Sequence, residues 1–217
     1  MPTARQEAIA RILLERHGQT YAQELGIHVE RNTPSPLFRL LCAALLYSAR
    51  IGAKQATRAA QALAHEGWTT PRKMAAATWA ARTRTLNQAG YARYDESTSR
   101  MLWQTSTLLL EKYGGDLRRL REDAGRDPRR EGKLLQEFKG IGEVGASIFL
   151  REVQAAWSEV RPYADERALR GARALGLPTS VAGLQKLVPD KDFVRLVAAL
   201  VRVTLAKDVE AVREAAA

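Results

Sequence analysis

Cysteine is all but missing from the 217-residue chain: Cys42 stands alone. One thiol rules out disulfides within the chain and cysteine-rich zinc sites, and it suits a reducing interior. Cys42 lies in the apolar run Leu40 to Leu46, where it reads as a small buried hydrophobe rather than a nucleophile. Histidine is scarce too, and His17, His28 and His65 lack the spacing of metal ligands, so no metal site is expected. No apolar stretch approaches the roughly 20 residues needed to cross a bilayer, and the polar N-terminus has no signal-peptide core. The expectation is a cytoplasmic, monomeric protein with no membrane partner. Period-2 alternation of useful length is also missing, as are internal repeats, which points away from a sheet.

Acidic residues are in deficit. Against 34 Lys and Arg stand 24 Asp and Glu, leaving a net charge of +10 and a pI near 10.1. That balance points to a polyanionic partner and says nothing about fold. With 46% hydrophobic residues the chain can bury a real core, as one large helical domain or two small lobes.

Helix signals fill the chain. Thr3 with Gln6 forms a potential capping box for a helix to about Arg16, ended by His17-Gly18. Tyr21 to Ile27 is a further short helix. Ser35 as cap and Pro36 at the first position predict an apolar, central helix through Tyr47. Helices then follow from Ala53 to near Gly67, after Thr70-Pro71, and from Thr78 to Ala89. Asp95 is expected to cap a long helix ending at Gly114-Gly115, and Asp127-Pro128 to open another. Trp68, Trp79, Trp103 and Trp157 lie on apolar faces and are expected in the core. The alanine-rich tail from Val209 is expected to fray.

The stretch around which the chain is organised runs from Leu134 to Arg170. Helical spacing through Leu134, Leu135 and Phe138 leads into Lys139-Gly140-Ile141-Gly142, and a second helix carries Val144, Ala146, Ile148 and Phe149. Glycines at 140 and 142 can take positive φ and bring backbone N–H groups up to a neighbouring surface. Amides at a helix start form an anion site, and in a basic chain phosphate is the natural anion. Gly140, Gly142 and Gly145 also spell G-x-G-x-x-G, with Asp165 about 20 residues beyond. A dinucleotide fold needs a buried strand ahead of that motif, and Glu131 to Phe138 has helical spacing with no β-branched run.

Phe-Lys-Gly-Ile-Gly-Glu-Val-Gly-Ala, an apolar helix, then Tyr163-Ala164-Asp165 leading into Ala168-Leu169-Arg170, resembles the helix-hairpin-helix DNA glycosylases related to endonuclease III. Leu45-Leu46-Tyr47-Ser48-Ala49-Arg50 is similar to that family's Leu-Leu-Ser-Ala-Gln segment, and the resemblance spans most of residues 36 to 205. It implies an all-α, two-lobe fold with a DNA cleft. One lobe would hold residues 33–125, and the other would hold 1–32 with 126–217, including the hairpin at about 128–156. It further implies that Lys139, Gly140, Ile141, Gly142, Val144 and Gly145 hold the DNA backbone, that Asp165 is the catalytic carboxylate, and that Arg170 matches an Arg one turn on. Tyr47, Ser48 and Tyr163 would line the pocket. Arg50 would fill the gap left by a flipped base, or be a solvated helix-terminal Arg. Tyr91 or Arg93 would wedge the opposite strand, or be simple loop residues.

Two departures shape the expected chemistry. The lyase Lys of bifunctional members is replaced by Val144, and an aliphatic side chain cannot form a Schiff base. The four-cysteine iron-sulfur loop of many members cannot form from one cysteine. The resemblance therefore implies a monofunctional glycosylase acting on double-stranded DNA containing a lesion. No cofactor is expected beyond a monovalent or divalent cation that could sit at the hairpin carbonyls. Asp165 at the start of a helix favours its ionised form, which can stabilise oxocarbenium character, although any Asp there could be only an N-cap. Two alternatives stand: an inactive scaffold binding distorted or abasic DNA, and a nucleotide-binding α/β enzyme, which would require a sheet.

Overall fold

A computed structural model describes residues 2–217, in which helices are the only regular secondary structure. Helix α1 (Ala4–His17) starts at a complete capping box of Thr3 and Gln6, and α2 (Tyr21–Glu24) at a second box of Thr20 and Gln23. A 3-10 turn (Val29–Arg31) leads to α3 (Pro34–Ser48). This helix opens two residues earlier than Ser35-Pro36 suggested: Thr33 is the N-cap and Pro34 the first helical residue. Either proline suits the first turn, since its missing N–H has no helical partner there. Ser35 instead donates its hydroxyl to the Thr69 carbonyl at 2.9 Å.

Around α3 come α4 (Ala53–His65), α5 (Pro71–Ala76), α6 (Trp79–Gln88) and α7 (Asp95–Tyr113). Leu37, Phe38, Leu41, Ala44 and Leu46 of α3 are fully buried. Each such Leu or Phe contributes roughly 1.5–3 kcal/mol of transfer free energy. Asp95 is the first helical residue of α7, not its N-cap; its carboxylate accepts from the Glu96 amide at 2.7 Å and from Asn87 Nδ2 at 2.8 Å.

The expected core position of two tryptophans is overturned. Trp79 and Trp103 are 43% and 45% exposed, while Trp157 is fully buried. The inner face of α7 is Thr98, Ser99, Leu102, Thr105, Ser106 and Leu109, so Trp103 lies about 100° off it, one residue past Leu102. On α6 the inward residues are Leu86 and Arg82, the latter buried and donating to the carbonyls of Met74, Ala77 and Ser99, which brackets α5, α6 and α7 together. Tyr91, expected as a wedge against DNA or as a simple loop residue, is a core residue: it is fully buried and its hydroxyl donates to the Leu46 carbonyl at 3.0 Å.

The later chain forms α8 (Leu117–Asp123), α9 (Pro128–Leu135), α10 (Glu143–Val153), α11 (Glu166–Ala174), α12 (Val181–Gln185), α13 (Phe193–Leu205) and α14 (Val209–Ala215). Contrary to the expectation of fraying, α14 packs on α1 and buries Val212 completely. The apolar interior forms two clusters. One joins residues 22–29, α3 to α8 and residues 135–160; the other joins α1, Tyr21, α11 and α13 with Leu184, Leu187 and Val212. Tyr47 packs against both, and its ring lies 4.9 Å from that of Tyr21. No helix among the described residues is long and apolar enough to cross a membrane.

Candidate active site

The turn between α9 and α10 is built by one glycine in the left-handed region, not two. Gly140 has φ 89°, and a Cβ there would lie 2.6 Å from Met101 Sδ and 3.3 Å from Leu45. Both the backbone and the close approach to α3 and α7 therefore require glycine. Gly142, at φ −90° and ψ −167°, is extended backbone open to any residue, and a Cβ there would meet nothing within 4 Å. No side chain caps α10 at Gly142, so its first-turn amides have no side-chain acceptor.

Buried and hydroxyl-bearing side chains fix the turn from behind. Ile141 is buried, so only its backbone can face a ligand. Thr105 Oγ1 donates to the Lys139 carbonyl at 3.1 Å, and Ser48 Oγ, bonded mainly to the Leu45 carbonyl at 2.8 Å, reaches the Gly140 carbonyl at 3.4 Å. Ser48 also meets Gly145, whose Cβ would lie 3.6 Å from the Ser48 Cβ. The Phe138 carbonyl accepts from the Ile141 amide. Lys139, Gly142 and Arg50 are exposed around this turn, and Val144 is 45% exposed. Arg93 is exposed elsewhere and stacks over Tyr94 at 5.3 Å. No cluster of His, Cys, Asp or Glu among the described residues could hold a metal ion.

Asp165 is both N-cap of α11 and half of a buried ion pair. Its Oδ1 accepts from the Ala168 amide at 3.0 Å, and its Oδ2 accepts from Arg151 Nη1 at 2.6 Å, with 8% of the residue exposed. Arg151 sits on α10, nine residues past Gly142, which is about 13 Å along a helix axis. Its Nε has no hydrogen-bond partner and lies 4.0 Å from Glu152 Oε1. Glu152 Oε2 accepts from the Ala22 amide at 2.9 Å. Burial pushes the Glu152 carboxyl above the usual range, opposed by Arg151 and by backbone amides. One guanidinium thus stands between two carboxylates in a buried row.

A recess opens beside this row. Tyr21, Tyr47, Ile51, Ile148 and Arg151 line it, and Arg167 and Leu205 continue into a second hollow lined by Arg170 and Thr204. Tyr47 bonds Thr57 through its hydroxyl at 2.7 Å, and burial raises its phenol. Tyr47 adjoins Ser48, and Ser48 touches the hairpin, so the end of α3 links the glycine turn to the recess beside Arg151. Tyr163 is half-buried, strapped to α10 through two hydrogen bonds with Gln154 at 2.9 and 3.0 Å. Burial raises its phenol, a hydrogen bond with Ser147 lowers it, and the Asp165 charge raises it further.

Ser48 thus touches the hairpin at Gly140 and Gly145, Tyr47 shares a recess with Arg151, and Arg151 bonds Asp165, whereas Tyr91 lies in the core. Arg118 and Arg121 are held within the chain by Asp116 and Glu159. Arg151, Glu152, Tyr21 and Arg167 were missed by the sequence reading. The visible signal was a charged pair, Arg151-Glu152, inside the apolar run from Ile148 to Val153, where an unpaired charge would be costly.

No family model and no curated protein matches the sequence. In three dimensions the chain is similar to endonuclease III in two DNA complexes. A trapped endonuclease III–DNA covalent intermediate, an estranged-adenine complex, superposes with a TM-score of 0.51 and 20% identity, covering 94% of this chain and 86% of that one. A non-covalent endonuclease III–DNA complex gives a TM-score of 0.57 and 19% identity with the same coverage. With its glycine turn between α9 and α10, the chain has the all-α helix-hairpin-helix fold of these endonuclease III structures.

Proposed function

We propose that the protein is a DNA N-glycosylase of base excision repair, hydrolysing the bond between sugar and a damaged or mispaired base in double-stranded DNA. The observation that carries this reading is that one helix, α10, has an uncapped start at the glycine turn and, through Arg151, holds the Asp165 carboxylate. In the proposal the first-turn amides and Lys139 bind phosphate, Arg50 fills the gap left by the everted nucleotide, and Arg170 and Tyr163 border the reacting sugar. Asp165 opposes the positive charge that develops on the sugar as its base departs. A monovalent or divalent cation at the hairpin carbonyls, a two-lobed division at about residues 33–125 and 1–32 with 126–217, a monomeric state and a cytoplasmic location complete the reading.

Val144 stands where the resemblance calls for the lyase Lys, so the reaction ends at an abasic site without strand cleavage. Borohydride should then capture no covalent complex between the parent and abasic DNA, whereas Val144→Lys should give measurable capture. Efficient trapping of the parent would reveal another amine and refute the monofunctional assignment. The glycosylase assignment itself is tested by incubating the protein with duplexes carrying a panel of single lesions. Release of at least one base supports it. Tight binding to distorted or abasic duplexes without any release favours the second reading, a binding-only scaffold. That reading is motivated by the Asp165 carboxylate, both of whose oxygens are already engaged.

A further inference from the structure

Resting on the glycosylase reading, we infer that Arg151 is a second catalytic residue, which stabilises the departing base as an anion and restricts the substrates to neutral bases with a ring carbonyl next to the glycosidic nitrogen. Three observations carry it. Of the Arg151 donors, only Nη1 has a hydrogen-bonded acceptor among the described residues, and that acceptor is Asp165. Arg151, though only 2% exposed, is among the residues lining the recess walled by Tyr47 and Ile148, and an exposed cation, Arg167, lines the same recess. Behind it, Glu152 is anchored by the Ala22 amide, so the guanidinium is held in place from its buried side.

The charges match the bond being broken. As the C1′–N bond opens, its electron pair stays on the base nitrogen and spreads onto the neighbouring carbonyl oxygen, and the sugar becomes cationic. Water adds its oxygen to C1′ and loses its proton through Asp165 to solvent, and the released base anion takes a proton from solvent. A carboxylate whose charge is cancelled by a contact guanidinium does little for the sugar cation alone. Facing a sugar cation on one side and a base anion on the other, the same pair is complementary at both ends. A base made cationic by alkylation leaves as a neutral molecule, gains nothing from Arg151, and is repelled by the exposed Arg167.

The test is single-turnover release from duplexes bearing a graded series of 5-substituted uracils, which differ in how readily they leave as anions, beside duplexes bearing 7-methylguanine. The parent should release the uracils in preference to the alkylated base, with a shallow dependence on leaving-group acidity. Arg151→Gln should slow the poorest leaving group by about 100-fold and the best one far less, steepening the dependence while duplex affinity stays within a few-fold. Arg151→Lys should lie between the two, and it carries the test if circular dichroism shows that the Gln variant has unfolded. An equal slowdown across the series, as a purely structural role would give, overturns the inference. Release confined to the alkylated base overturns it and leaves the glycosylase reading standing, whereas no release from any duplex overturns both.

Discussion

Two glycines that look alike in sequence have different duties. Gly140 needs its positive φ and has Met101 and Leu45 against it, so Gly140→Ala should lower the thermal midpoint and DNA affinity together. Gly142 is extended and open, so Gly142→Ala should melt like the parent, yet in the proposed function it should bind DNA several-fold more weakly, its methyl standing where the phosphate would approach. Paired melting and binding curves distinguish the two, and a Gly142→Ala protein of parental affinity would move the phosphate elsewhere. Glu131 supplies a pH signature. It is fully buried with both carboxylate oxygens unpartnered, and burial, followed by the neighbouring Glu159, pushes its carboxyl from 4.5 up to about 8. The folded value exceeds the unfolded one, so the stability tied to this proton is complete below about 4.5 and is lost progressively as pH rises to about 8. Glu159, held by Arg121, is shifted the other way and titrates below that window, whereas Glu152, also raised, leaves a residual slope. Glu131→Gln should therefore raise the midpoint at pH 8 far more than at pH 5, and a parallel pair of melting profiles would contradict the assignment.

At the scale of elements, caps were legible wherever local chemistry decided them. The Thr3–Gln6 box, the Thr70 cap before Pro71 and the Asp127 cap before Pro128 all form where the sequence places them, because each satisfies amides within its own turn. At α3 the start fell two residues before the expected Ser35-Pro36, and the Ser35 hydroxyl goes to the Thr69 carbonyl instead of capping the helix. Long-range placement was not legible at all: a buried Arg82 bonding three carbonyls takes an inward position on α6, so the core role assigned to Trp79 failed. The seating of α11, which carries Asp165 at its start, depends on one small residue. A Cβ on Gly171 would lie 2.1 Å from the Leu200 carbonyl oxygen of α13. Gly171→Ala should thus push the two helices apart and cost about 1–3 kcal/mol or more of stability, read as a lowered denaturation midpoint. An unchanged midpoint would mean the helices cross less closely than described.

For the whole molecule, helix content and the hairpin-to-Asp165 module could be read from the chain because both rest on local pattern. The partnership of Asp165 with Arg151 could not, since it joins residues from two helices whose approach is set by the packing of Tyr21, Tyr47 and α13 at the seam between the two apolar clusters. Net charge of +10 favours a polyanionic partner, and in the proposed function this seam is where the chemistry takes place. The central claim is that the glycine turn grips the strand while Asp165 acts on the sugar, so binding and chemistry are separable. The most direct measurement is single-turnover base release by Asp165→Asn alongside its affinity for the same lesion duplex. Release should fall at least 100-fold with affinity within a few-fold of the parent; release at the parental rate by a folded, DNA-bound variant would contradict the account.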